Sequence, residues 1–109
     1  MAEITVEPKE TIVEKARAFL ERLREAHVDV ESAYLYGSHA TGAAGPDSDI
    51  DVAIVSSDLS GDRVEDWMRL NRISTQIDVR MEVIGFRPEQ FRDENPLVWE
   101  VKTRGVQLI

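Results

Sequence analysis

Cysteine is absent from the 109 residues, which excludes disulfides, thiolate nucleophiles and cysteine-ligated zinc. Positive charge is in deficit: 13 Lys and Arg face 21 Asp and Glu, a formal net charge of −8. Such a balance argues against a broad phosphate-binding surface and so against general nucleic-acid binding, although a local basic patch is still allowed. It suits a metal site or a partner with a basic face. Long hydrophobic runs are also missing, and none approaches the roughly 18 apolar residues that a membrane span requires. Met1 to Glu10 has no basic start followed by an apolar stretch, so no signal peptide is expected and the expected location is cytoplasmic. There is no internal repeat, low-complexity tract or linker. The remaining composition, 42% hydrophobic and 31% charged, is that of a globular protein. Residues 1–109 are read as one domain.

Periodicity sketches the elements. Ile4 to Val6 suggests a short strand. Pro8 fits the first turn of a helix in which Ile12, Ala16, Phe19, Leu20 and Leu23 recur at helical spacing, ending near Ala26 or His27. His27 reads as a helix end, where a cation suits the dipole. Ala33 to Tyr36 reads as a buried strand stopped by Gly37. Ser38 to Ser48 reads as a loop with one helical turn, and Asp49 to Val55 as a strong strand. Ser60 or Asp62 caps a helix with Val64, Trp67 and Met68 on one side. Ile77 to Ile84 alternates as a strand, with Asp78, Arg80 and Glu82 on one face. Asn95-Pro96 opens a last helix that Gly105 ends, and Val106 to Ile109 forms a final short strand. Trp67 and Trp99 are expected in the core or at an interface. The order predicts an α/β (α+β) domain, a small mixed sheet flanked by helices.

The chemistry is concentrated between Tyr36 and Asp51. Asp49 and Asp51 stand two apart on a predicted strand, so their carboxylates project from one face. Two carboxylates held that close repel unless a cation lies between them. Mg²⁺ suits them because it prefers oxygen ligands, keeps waters and takes further ligands from phosphates. Upstream, Gly37 follows a buried strand and lets a phosphate approach the backbone, where N–H groups and the Ser38 hydroxyl can hold its oxygens. His39 in the same loop is either a phosphate contact or solvent-exposed. A lone Asp-x-Asp is usually a solvated turn. Asp47, Asp49 and Asp51 mimic a calcium loop, but Val52 stands where that loop requires glycine. The glycines form neither a Walker A loop nor a dinucleotide fingerprint.

The segment resembles the nucleotidyltransferase superfamily that includes DNA polymerase beta and the aminoglycoside nucleotidyltransferases. The signature is Gly-Ser, ten residues, then Asp-x-Asp. Here Gly37-Ser38 is followed by the ten residues His39 to Ser48 and then by Asp49-Ile50-Asp51. Tyr36 and the run Ser48-Asp49-Ile50-Asp51-Val52 are also similar to the family, and the length resembles its minimal members. The resemblance implies a third carboxylate on a neighbouring strand. Met81-Glu82-Val83-Ile84 fits the family's pattern better than Gln76-Ile77-Asp78-Val79, although Glu is the rarer residue there. It thus implies Asp49, Asp51 and Glu82 as catalytic metal ligands, and Gly37, Ser38, Asp49 and Asp51 as nucleotide-binding residues. Asp78 is left to pair with Arg80.

Minimal nucleotidyltransferases often act with an all-helical HEPN ribonuclease toxin, neutralising it by adenylylating a tyrosine, by binding, or both. The resemblance therefore implies transfer of AMP from ATP, with Mg²⁺ or Mn²⁺ in a two-metal site, to a HEPN partner. Two other readings compete. A small-molecule, aminoglycoside-type enzyme would carry an extra helical domain, for which 109 residues leave no room. A catalytically weak nucleotide- or partner-binding module would not need Asp49, Asp51 and Glu82 intact.

Overall fold

The structure, a computed structural model, describes residues 6–109; the strand expected at Ile4 to Val6 falls largely outside them. Helix α1 (Lys9–Glu25) buries Ile12, Ala16, Phe19, Leu20 and Leu23 and leaves its charged residues to solvent. Strand β1 (Ser32–Tyr36) leads through Gly37 into α2 (Ser38–Thr41), a single helical turn, and on to β2 (Ile50–Val55). Asp62 caps α3 (Arg63–Ser74), its carboxylate accepting from the N–H groups of Val64 and Glu65. Strand β3 (Met81–Phe86) and a 3₁₀ turn (Pro88–Gln90) follow. Asn95 caps α4 (Pro96–Arg104) by accepting from the Leu97 N–H, with Pro96 in the first turn where no N–H is needed. The chain closes with β4 (Val106–Gln107).

The four strands form one mixed sheet in the order β3-β2-β1-β4. β1 runs antiparallel to β2 and β4, whereas β2 and β3 are parallel and joined by α3 as the crossover. Alternation divides the strand residues between two cores. Leu35, Ile50, Val52, Ile54, Met81 and Val83 meet the apolar residues of α1 and α3 on one face. Ala53, Val55 and Phe86 meet Val98 and Val101 of α4 on the other, with Tyr34, Tyr36 and Phe91 packed alongside. Gly105 ends α4 in extended backbone, φ −76°, not in the left-handed conformation that commonly closes a helix. Glycine is needed there because a Cβ would overlap the Val101 carbonyl.

The strand expected after α3 needs correction. The strand predicted from Ile77 begins only at Met81. Ile77 to Arg80 is turn, with the N–H groups of Ile77 and Asp78 donating to Ser74 O and that of Met81 to Asp78 O. Val79, assigned to the same face as Met81, is 84% exposed. Val64, Trp67 and Met68 share a side of α3 as expected, and it is the solvent side; Trp67 and Trp99 are each about half exposed and so lie outside the core. The buried side of α3 carries Asp66, Leu70, Asn71 and Ser74.

Those buried polar residues have work that explains their position. β3 is an edge strand, with a strand neighbour on one side only. Asn71 closes the open edge at Val83, its Oδ1 accepting from the Val83 N–H at 2.9 Å and its Nδ2 donating to the Val83 carbonyl at 2.9 Å. The Ser74 hydroxyl lies 3.2 Å from the Met81 carbonyl. A helix thereby satisfies backbone groups that would otherwise invite another strand. Asp66 accepts from the N–H groups of Ser60 and Gly61 and so fastens the loop before α3.

Candidate active site

Asp51 is the second residue of β2, where the buried strand meets solvent. Register sets its neighbours: Tyr36 of β1 lies opposite it, and Glu82 of β3 lies beside it. The three residues therefore form one row across the sheet, on the α4 face. Asp49 precedes the ladder, and its carboxylate swings to the same place. One oxygen each from Asp49, Asp51 and Glu82 lies within 4.8 Å of the others, with Asp49 and Glu82 exposed and Asp51 half-buried. Among the described residues, no lysine or arginine forms an ion pair with these carboxylates.

The crowding shows in the protonation of the inner carboxylate. Burial, reinforced by the charges of Asp49 and Glu82, pushes Asp51 up to about 6, only partly offset by nearby His39. Burial first, then the charges of Asp51, Glu82 and Glu100, also raises the Tyr36 hydroxyl above its ordinary range, so Tyr36 stays protonated. A cluster of oxygen donors that repel one another at neutral pH fits a hard divalent cation, which favours a few carboxylates and completes its shell with water and phosphate.

Gly37 connects this cluster to α2. It has φ +72° and ψ −153°, a conformation that L side chains rarely adopt. A Cβ at Gly37 would moreover overlap the Asp51 carboxylate. The sequence pattern suggests a glycine bared for phosphate; the geometry adds that it makes room for Asp51. Ser38 follows as the first residue of α2, where the N–H groups of a first turn have no partners within the helix. His39 is 6% exposed, so its ring is not the solvent-facing side chain allowed for above. Its Nε2 lies 3.4 Å from the Ser48 carbonyl.

Asp78 lies elsewhere. Arg80 donates to both of its oxygens, from Nε at 3.0 Å and from a terminal nitrogen at 2.8 Å, and Lys15 donates to it at 2.8 Å. Glu7 pairs with the same Lys15 and Arg80. The Arg80 guanidinium, with help from Lys15, holds Asp78 well below the usual carboxylate range. This four-charge network ties the start of α1 to the turn before β3.

Tyr36 and His39 are the residues that the sequence pattern undervalues. Tyr36 shares parity with Tyr34 on a short strand, and only the antiparallel register brings it to Asp51. For His39 the available signal is its place next to Ser38.

A glycine turn next to three convergent carboxylates suits phosphoryl or nucleotidyl transfer. The chain belongs to the polymerase beta nucleotidyltransferase family, whose pattern matches residues 18–108. No curated protein matches it. Among solved structures it is similar to a candidate nucleotidyltransferase from Sulfolobus solfataricus, with 21% identity over 91% of this chain and 80% of that one and a TM-score of 0.64. It is also similar to a toxin–antitoxin crystallised with AMP-PNP, at 22% identity over 89% and 72% of the two chains and a TM-score of 0.63. A mutant of the toxin–antitoxin MntA-HpeT aligns at 20% identity over 94% and 73%, with a TM-score of 0.61. At these identities the likeness is one of fold. No helix among the described residues is long and apolar enough to cross a membrane.

Proposed function

We propose that the chain is a single-domain, metal-dependent nucleotidyltransferase that moves AMP from ATP onto a tyrosine hydroxyl of an all-helical HEPN toxin, acting as its antitoxin in the cytoplasm. The observation that carries the chemical part is the convergence of Asp49, Asp51 and Glu82 within 4.8 Å beside Gly37-Ser38. The toxin–antitoxin character of two fold neighbours, one of them with AMP-PNP, supports the biological part.

Gly37 and Ser38 hold the triphosphate through backbone N–H groups and the hydroxyl. Asp49 and Asp51 hold the metal that accompanies the nucleotide, and Glu82 completes the set on the acceptor side. Asp49, Asp51 and Glu82 would hold Mg²⁺ or Mn²⁺, which would supply charge neutralisation at the α-phosphate and polarisation of the attacking hydroxyl. In this reading Glu82 takes the proton of that hydroxyl. The acceptor oxygen then bonds to the α-phosphorus as the bond to the bridging oxygen breaks, and pyrophosphate leaves. A one-domain catalyst offers the phosphate-and-metal half of a site, and a partner protein supplies the other half.

The test is to co-express the chain with a short helical protein encoded beside it that bears an Arg-x₄-His motif, and to analyse that protein by mass spectrometry. An added AMP on tyrosine, absent with Asp49→Asn plus Asp51→Asn, is the expected result. An unmodified partner, or modification that survives the double substitution, overturns it.

A further inference from the structure

Asp49 lies outside the β2 ladder, which starts at Ile50, and its side chain is exposed. Strand pairing therefore does not fix it. The turn before it is fastened by other means. The Ser48 N–H donates to the Gly45 carbonyl at 3.2 Å, and the Gly45 N–H donates to the Ser48 hydroxyl at 2.7 Å. Two side chains then grip this turn from outside. His39 reaches the Ser48 carbonyl through Nε2, and Arg80 donates to the Pro46 carbonyl at 3.3 Å. Each gripping residue belongs to another part of the site: His39 follows Ser38 in α2, and Arg80 stands two residues before Glu82. A carbonyl can only accept, so this contact is a hydrogen bond in the tautomer that carries the proton on Nε2.

We propose that His39 is a positioning residue. Its Nε2–H on the Ser48 carbonyl, with Arg80 as second anchor, sets Asp49 against Asp51 and Glu82 and fixes its distance from the phosphate-holding turn. This deepens the functional reading above and rests on it. Transfer chemistry tolerates little misplacement of its ligands, and neighbours that orient a ligand matter nearly as much as the ligand itself.

Three substitutions separate reach from polarity. His39→Gln keeps a donor long enough for the Ser48 carbonyl. His39→Asn keeps a donor that is too short, and His39→Leu removes it. Mn²⁺ binding in the presence of ATP is measured by electron paramagnetic resonance, alongside melting temperature and the Mn²⁺ dependence of turnover. The Leu and Asn variants are expected to bind Mn²⁺ about tenfold more weakly and to lose kcat more than KM for ATP, with Gln restoring most of both. A merely structural histidine would lower melting temperature in all three without changing Mn²⁺ affinity, and that result overturns the proposal. Equal Mn²⁺ binding by wild type and both the Leu and Asn variants overturns it alone. A wild type that binds no Mn²⁺ with ATP overturns the functional reading and this inference with it.

Discussion

Replacing Asp51 by Asn should stabilise the metal-free protein, and the size of the gain should depend on pH. In the folded chain Asp51 is pushed from 3.8 up to about 6 by burial and by its two acidic neighbours. Its charged form is therefore disfavoured by folding. Below pH 3.8 the carboxyl is protonated in both folded and unfolded chains, and there is no penalty. Between 3.8 and about 6 the folded state binds more protons, so stability falls as pH rises; above 6 the full penalty applies. At full strength a shift of that size is worth about 3 kcal/mol. Asp51 is only half-buried, so solvent screens the field, which brings the expected gain to about 1–2 kcal/mol. For a domain of this length that is roughly 5–10 °C in melting temperature. Thermal melts of wild type and Asp51→Asn in chelator should coincide near pH 4 and separate by that margin at pH 8, the variant melting higher. Added Mn²⁺ should raise the wild type and close the gap, because it binds the folded state, while leaving the variant nearly unmoved. A variant that melts at or below the wild type at pH 8 in chelator would refute the claim that the carboxylates crowd one another.

Glu82→Gln and Asp78→Asn should fail in opposite ways. The first lowers turnover about a hundredfold or more while the melting temperature holds, and the second removes the negative charge and one of the two acceptor oxygens that serve Arg80 and Lys15, costing about 2–3 kcal/mol of stability with kcat retained. Parallel activity assays and melts check the pair, and a turnover defect confined to Asp78→Asn would reverse the assignment. Gly37→Val should abolish nucleotide binding measured by calorimetry with ATP and Mn²⁺, since a β-branched side chain at φ +72° meets the Asp51 carboxylate. Ser38→Ala should cost only one charge-assisted hydrogen bond, about 1.5–3 kcal/mol. Asn71→Leu should destabilise by about 2–3 kcal/mol in urea titrations, because it strands the Val83 N–H and carbonyl.

The Gly37-Ser38 and Asp49-x-Asp51 spacing was legible because both ends of it are set by local backbone: a strand exit, a turn and a strand entry. Helix α1 was legible because one apolar face repeats over 17 residues. The turn at Ile77 to Arg80 was not, because its residues happen to continue the alternation of the strand behind it. Local hydrogen bonds form the turn, and distant partners reinforce it: Asp78 is held by Lys15, 63 positions away, and Arg80 by Glu7, 73 away. Parity alone could never separate Asp78 from Glu82 for the same reason. Helix α3 shows a different limit. Period defines its faces, but hydrophobicity pointed to Val64, Trp67 and Met68, whereas the sheet edge needed hydrogen bonds and took Asn71 and Ser74. His39 is buried with its Nε2 at the Ser48 carbonyl, a contact that its place beside Ser38 does not reveal.

Asn71 has one consequence for motion. The Val83 amide proton sits one residue from Glu82, yet its acceptor is a side chain of α3 and not a neighbouring strand. That proton can exchange with solvent when α3 lifts, even while the sheet stays paired. Its exchange rate is therefore a clock for helix docking, read out beside the carboxylates. Any contact that presses on the exposed Trp67 side of α3 would slow or speed that clock before it altered the sheet itself.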